Sequence, residues 1–299
     1  MALRVTPGMM HNNLMRNINH NLSRMENQQN MLSTGRKLNK PSDDPAGITY
    51  SLRYRSELAM NEQYDKNIGT SLSQLSHTDT VLGQVNDLIQ RAQQLTVQAL
   101  NDTNPQSALD AIKIEMHQLY EQAVTAGNDT LNGKYIFNGQ MTDKQPYTSA
   151  DAATQDTDTE KFLMRFSAGV TVPINVTGDE VFGASGDADN LFQVLKDLES
   201  ALEDPANKDD LRVAYSNLNS RYDKLINIRS EVGARTNRVE LIDQRLQDLT
   251  LNLNELQGKT EDADMAETIM KFNLEQNVYQ ASLSTGAKIV QPTLIDYLR

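Results

Sequence analysis

A chain of 299 residues with a formal charge of −12 and a pI near 4.8 offers no basic stripe for phosphates, which argues against nucleic acid and against anionic membrane surfaces. It has no cysteine, which excludes disulfides and thiolate metal sites, and no run approaching the ~18 apolar residues of a transmembrane helix. With no Trp and six Phe, its cores have to be built from Leu, Ile, Val, Met and Ala, as in helical bundles.

The opening MALRVTPGMMHNNLMRNINH lacks the apolar stretch of a secretory signal. Thr6-Pro7 reads as a cap and first helical position. Leu14, Ile18, Leu22, Met25 and Leu32 then form one helical stripe, with Gln29 in the gap and a second face rich in Asn and Gln. Gly35 ends this helix. Residues 39–47, NKPSDDPAG, are loop chemistry, and Asp44-Pro45 opens a second helix running to about Leu100. Its apolar positions include Ile68, Leu72, Leu75, Val81, Val85, Leu88, Ala92, Leu95 and Ala99. Asn104-Pro105 restarts a third helix, with Leu109, Ile112, Met116, Leu119, Ala123 and Ala126 at heptad spacing, ending at Gly127.

The character then changes. Residues 133–139, GKYIFNG, read as a strand between glycines, and 140–160 as loops. Residues 161–176 read as two strands around Ser167-Ala168-Gly169; Val170, Val172, Ile174 and Val176 alternate, and Pro173 points to an edge strand. Helical pattern returns at Leu191, Leu195, Leu198 and Leu202 and is broken by Pro205.

The strongest periodicity comes next. From Leu211 through Ala214, Leu218, Arg221, Leu225, Ile228, Val232, Arg235, Val239, Ile242, Leu246, Leu249 and Leu253 to Leu256, steps of three and four alternate without a slip. Twelve of these fourteen positions are apolar, against about five expected by chance. A heptad seam about 68 Å long exceeds what a compact domain needs and belongs to a rod or an assembly. Leu225, Val232, Val239, Ile242, Leu246 and Leu249 are its expected core, and Arg221 and Arg235 are register devices or surface contacts.

Residues 262–290 differ again: Ile269, Met270, Phe272, Leu274, Val278, Tyr279, Ala281, Leu283 and Ala287 fall on several faces. A helix apolar all round has to be buried all round, so it needs neighbouring chains. With Leu14, Ile18, Leu22 and Met25, the residues Ile269, Met270, Phe272, Leu274, Val278 and Leu283 form the expected assembly interface. The expected fold is mainly α: an elongated rod of long helices pairing the N- and C-terminal segments, with a small β-rich insert mid-chain. Its parts are a terminal coiled-coil assembly domain (1–45 with 257–299), a helical rod (46–132 with 188–256) and the insert (133–187).

Chemistry-bearing constellations are sparse. His11, His20, His77 and His117 have no metal-ligand spacing, and no nucleophile elbow, Walker loop, dinucleotide fingerprint or zinc-protease motif occurs. Glu261, Asp262, Asp264 and Glu267 read as carboxylates at a helix N-terminus, with Asp264 and Glu267 at capping-box spacing. Asp156–Glu160 lacks the glycine and terminal Glu of a calcium loop. Arg91, Arg221, Arg229, Arg235 and Arg238 read as solvated or paired within the rod. No cofactor, metal or catalytic role is expected.

Two segments resemble a known superfamily. LSTGRKLNKPSDDPAG (Leu32–Gly47) is similar to the end of the N-terminal helix and following loop of bacterial flagellins, and Lys259–Arg299, with its EDAD entry and terminal LR, is similar to their C-terminal helix. Within that superfamily, four features are more similar to the hook–filament junction members than to flagellin itself: Leu3–Met10, the strand Tyr135–Gly139, the stretch Gly169–Gly183, and the close Pro292–Tyr297. The resemblance implies a structural protein of the bacterial flagellum, exported unfolded through the flagellar channel by the type III machine. It implies a layer between hook-associated protein 1 and the flagellin filament, on the extracellular flagellum. The implied partners are copies of itself in a ring or layer, flagellin, hook-associated protein 1 and an export chaperone, with no nucleic acid and no membrane insertion. A filament subunit, flagellin, is the alternative.

Overall fold

Among the described residues, seven α-helices carry the chain, with two short hairpins between the third and fourth. The computed structural model describes residues 7–101, 104–203 and 208–290; the expected cap at Thr6, the break at Pro205 and the motifs at 3–6 and 292–297 lie outside them. In order, the elements are α1 (Pro7–Thr34), α2 (Pro45–Ala99), α3 (Gln106–Gly127), β1 (Thr130–Leu131), β2 (Lys134–Tyr135), a 3-10 turn (Ala152–Thr154), β3 (Leu163–Ser167), β4 (Val170–Pro173), α4 (Gly178–Phe182), α5 (Leu191–Ala201), α6 (Lys208–Glu261) and α7 (Met265–Val290). The fold is mainly α with a small β-containing region. It divides into two compact units, residues 1–60 with 249–299 (unit 1) and residues 61–248 (unit 2).

In unit 2 the heptad residues meet. Leu75, Val85, Ile89, Ala92 and Leu95 of α2, Ile112, Met116 and Ala123 of α3, Leu191, Val194, Leu195 and Leu198 of α5, and Leu218, Leu225, Val232 and Val239 of α6 form one buried cluster. Each Leu, Ile, Val or Met among them contributes roughly 1.5–3 kcal/mol on burial, and cooperation along the seam lets a few apolar types hold very long helices.

The two arginines in the seam are neither solvated nor idle. Arg221 is almost fully buried; its Nε donates to the Asp189 carbonyl (2.8 Å), its Nη1 to the Glu180 carbonyl (3.1 Å), and its Nη2 faces Asp189 Oδ1 at 2.9 Å. Arg235 donates to the Asn175 carbonyl (2.9 Å) and pairs with Glu231. Both use a fixed fork of donors to hold main-chain carbonyls of the segments packed against α6.

The region between α3 and α5 contains less strand than its sequence promises. The expected strand 133–139 is limited to Lys134–Tyr135, because Asn132 (φ 54°) and Gly133 (φ 77°) form a two-residue turn that pairs it with Thr130–Leu131, and Gly139 (φ 52°) turns the chain away. Leaving the ladder, Ile136 and Phe137 enter the core. The second hairpin is as expected: Leu163 pairs with Pro173 and Met164 with Val172, with a bulge at Arg165–Ser167. Aromatic packing replaces sheet. The Phe182 ring lies 5.5 Å from Phe137, 5.6 Å from Tyr147 and 5.1 Å from Phe192, at distances where ring pairs attract. Gly127 and Gly178 are small by necessity: a Cβ on either would fall 2.7 Å and 2.3 Å from Tyr147 atoms.

In unit 1, α1 and α7 lie antiparallel, with Leu14 against Gly286, Asn21 Nδ2 donating to Ser282 Oγ (3.1 Å) and Arg24 paired with Glu275 (2.9 Å). Gly35, at φ +70°, ends α1 with its N–H on the Met31 carbonyl. The loop after it caps itself. The Asp43 carboxylate takes the N–H groups of Lys40 (2.8 Å) and Asn39 (3.0 Å), which hold it below the usual carboxylate range, and Asp44 takes the N–H of Ala46 (3.0 Å) at the start of α2. Gly47 packs where a Cβ would meet Asp44 and Leu38.

Candidate assembly surface

The joint of unit 1 is built on one carboxylate. Glu261, at the end of α6, is 1% exposed. Arg55 of α2 grips it with two guanidinium nitrogens, Nε at 2.8 Å; Ser51 donates its hydroxyl, and Arg36 Nε lies at 3.5 Å. Burial alone would raise this carboxyl's pKa, but the hydrogen bonds from Arg55 and Ser51 and the charges of Arg55 and Arg36 outweigh it and hold the group below its ordinary value. Backbone reinforces the joint: the Lys37 N–H donates to the Glu261 carbonyl (2.7 Å) and the Ala263 N–H to the Gly35 carbonyl (3.0 Å). Asp264 then accepts from the N–H groups of Ala266 (2.9 Å) and Glu267 (3.1 Å), starting α7. The acidic run therefore serves as cap and clamp.

Around this joint, unit 1 leaves much apolar surface uncovered. Among the described residues, sixteen of the twenty-four large apolar side chains left exposed belong to unit 1, although it is the smaller unit. Helices laid side by side in one thin layer hide only the faces they turn to each other, so this surplus is set by architecture. On α7, Met270 is 65% and Leu274 60% exposed, and Ile269, Val278 and Leu283 are also exposed; Phe272 is half-buried. On α1, Leu14, Ile18 and Met25 are half-buried and Leu22 is exposed, because Asn21 occupies the buried place between Ile18 and Met25. Patches of this kind mark sites of association.

The seam residues divide. Leu225, Val232, Val239 and Leu246 are buried and Ile242 is half-buried, all in unit 2, whereas Leu249, in unit 1, is 47% exposed. Asp156 and Asp158 are taken up by backbone: they accept from the N–H groups of Ser185 (2.7 Å) and Gln140 (2.8 Å). Among the described residues no three His, Asp or Glu side chains converge as a metal site, and no helix is long and apolar enough to cross a membrane. A groove of about 700 Å³ in unit 2, walled by Leu131, Tyr135 and Phe162 above Gly69 and Ser73 of α2, is lined by no carboxylate and no histidine. The Glu261 clamp escaped sequence reading, since its partners lie more than 200 residues away; the paired LSTGRKL and KTEDAD segments were the available signal.

Long helices at both chain ends, joined at a common root and carrying uncovered apolar faces, define a helical protein with much apolar surface left over. Residues 5–142 match the bacterial flagellin N-terminal helical region and residues 216–298 the bacterial flagellin C-terminal helical region, together about three quarters of the chain. The chain belongs to the bacterial flagellin family and is a structural component of the flagellum. It is similar to the flagellar hook-associated protein 3 of Escherichia coli (strain K12), 26% identical over 300 residues that cover 94% of this chain and 95% of that protein. The crystal structure of Bacillus cereus FlgL is 26% identical, with a TM-score of 0.59 over 69% of this chain and 99% of that one. Flagellar hook-associated protein 3 of Legionella pneumophila, 13% identical, shares the fold at a TM-score of 0.63 over 69% and 97% of the two chains.

Proposed function

We propose that the chain is the junction protein that joins the flagellar hook to the flagellin filament, assembling by burial of its terminal helices between subunits. The observation that carries this reading is the apolar surplus on α1 and α7, in a chain similar over almost its whole length to a hook-associated protein. The residues proposed to meet neighbouring subunits are Leu14, Ile18, Leu22 and Met25 on α1, and Ile269, Met270, Phe272, Leu274, Val278 and Leu283 on α7. The buried stretch Leu225–Leu246 stiffens the subunit, and residues 133–187 form an insert packed into the same core. The organisation into terminal, rod and insert parts accords with this division of labour. The partners are further copies in a ring or layer, hook-associated protein 1 on the hook side, flagellin on the other and an export chaperone beforehand. The chain leaves the cell unfolded through the flagellar channel, and its role is mechanical, without catalysis.

A filament subunit is the second reading, because the same terminal helical regions characterise flagellins. A deletion strain separates the two. Loss of the junction protein leaves hooks in place while flagellin is shed into the medium; loss of flagellin itself leaves none to shed.

A further inference from the structure

Helix α2 is tied to the two hairpins of unit 2 at two points. Asn67 Nδ2 donates to the Arg165 carbonyl of β3 (2.9 Å), and further along the helix His77 Nε2 lies 2.9 Å from Asp129 Oδ2, just before β1. The helix between these ties is about 15 Å long. There one face of α2, with Gly69, Thr70, Ser73 and Gln74, floors the groove of about 700 Å³ described above, a volume typical of small-molecule sites. The walls are fixed. The buried Asn175 side chain accepts from the Phe162 N–H (2.8 Å) and donates to the Glu160 carbonyl (3.1 Å), while the Ile174 N–H donates to the Phe162 carbonyl (3.1 Å). On the other wall the Tyr135 N–H donates to the Thr142 carbonyl (2.9 Å). The Phe162 main chain is therefore held on both sides while its ring is 46% exposed, and it is the one exposed residue of the six phenylalanines.

The lining says what such a groove would take. The side chains of Ser73, Gln74 and Asn132 have no hydrogen-bond partner among the described residues, and Lys134 has no ion pair there. Hydroxyl and amide groups supply donors and acceptors together, which matches a ligand of many hydroxyls. The rings of Tyr135 and Phe162 supply electron-rich faces, on which the C–H face of a sugar ring packs. A peptide strand would be held instead through main-chain ladder groups, and strands of two residues, such as β1 and β2, offer few. Charge narrows the class further. Unit 2 carries sixteen Lys and Arg against twenty-nine Asp and Glu, a net −13. The groove is lined by no carboxylate and holds Lys134, so within an acidic unit it is a place where an anionic group gains rather than loses.

We propose that this groove binds a short oligosaccharide carrying a carboxylate. Its sugar faces pack on Phe162 and Tyr135, its hydroxyls meet Ser73, Gln74 and Asn132, and its carboxylate meets Lys134. The site uses no residue of α1 or α7, so it stands or falls apart from the junction role.

The test uses the purified full chain on an array of immobilised oligosaccharides: some containing glucuronic, galacturonic or sialic acid, others neutral glucose and galactose oligomers of the same length. Acidic members should bind, and neutral ones about tenfold more weakly, the loss of one charge-assisted contact. Lys134→Gln should bring the acidic members down to the neutral level. A Cβ at Gly69 meets nothing within 4 Å, so Gly69→Leu fills the floor without displacing the fold. That variant should melt at or above wild type, leucine being the better helix former, and should lose binding, as should Phe162→Ala. No binding of any acidic member at millimolar concentration overturns the proposal. So does binding that survives Gly69→Leu and Phe162→Ala, and so do neutral members that bind as well as acidic ones. Peptides that bind with the same sensitivity to Gly69→Leu, where saccharides do not bind, overturn it in favour of a peptide groove.

Discussion

Arg221 and Asp189 face each other almost wholly out of water, with Nη2 and Oδ1 2.9 Å apart and the Arg221 Nε on the Asp189 main-chain carbonyl at 2.8 Å. The pair joins the first third of α6 to the turn before α5, and Lys224 adds a third contact to Asp189 at 2.8 Å. Burial works against ionised Asp189, but the hydrogen bond from Lys224 and the charge of Arg221 outweigh it and hold the carboxyl below the usual Asp range.

Removing one member of a buried pair strands the other. Arg221→Ala should therefore cost about 3–5 kcal/mol in unit 2, read as a loss of thermal or denaturant stability. Arg221→Met, which fills much of the space but pairs with nothing, should remain clearly destabilising. A loss below about 1 kcal/mol for both would show that the buried carbonyls find water instead.

Glu261→Gln tests the root of the terminal helices. The amide keeps the shape but not the charge that Arg55 and Arg36 face, so amide hydrogens in α1 and α7 should exchange faster while those of residues 81–95 and 211–246 keep their protection. The same group gives a pH dependence. Its folded pKa is lowered, so its stabilisation is present above the unfolded Glu value of about 4.3 and is lost as pH falls through the folded value. Wild-type unit 1 should loosen on acidification through that range, and the Gln variant should show a flatter profile. Identical acid profiles would remove Glu261 from the account.

The seam makes a graded prediction along one helix. Leu225→Ala should cost on the order of 2–5 kcal/mol, because Leu225 is fully buried. Leu249→Ala, half in solvent, should cost less than about 1 kcal/mol in the isolated chain. Equal losses at the two positions, measured by denaturant unfolding, would mean that Leu249 is covered in the monomer.

On α7, Leu274→Ser and Leu283→Ser should leave the melting of the purified chain unchanged and abolish filament attachment in a complemented deletion strain. Each places a hydroxyl where ~1.5–3 kcal/mol of apolar burial is gained on assembly, and the loss recurs at every contact. Normal motility from both would remove α7 from the proposed interface.

Most of the helical frame was legible beforehand because its signals are local: a 3.6-residue period, Gly35 after α1, Asp44-Pro45 before α2, and the three-four alternation of α6. What stayed hidden depends on distant partners. The sequence treats Arg221 and Arg235 as interruptions, and nothing near them in the chain discloses the carbonyls of Glu180, Asp189 and Asn175 that they hold. Glu261 looked like one of several carboxylates answering a helix dipole. The Asn132-Gly133 turn was present as a dipeptide, but strands of two residues carry no alternation to flank it. Of the terminal interface, the many-sided apolar character of α7 could be read, while the exchange of Leu22 for Asn21 on the buried face of α1 could not, since it rests on Ser282.

The bridge at the root of α1 and α7 also sets an order of events. Its contacts span very long stretches of chain, 210 residues from Ser51 to Glu261 and 261 from Asn21 to Ser282, whereas α3 and α5 of unit 2 meet across fewer than ninety, as in the His117–Glu199 contact. Loop closure over such lengths is slow, and the two units depend on different parts of the chain: a chain stopped before residue 261 has all of unit 2 and none of the clamp. The terminal helices therefore come together last, after unit 2 has formed. A truncated product would fold its core yet lack the clamp and the surface proposed for assembly on α7.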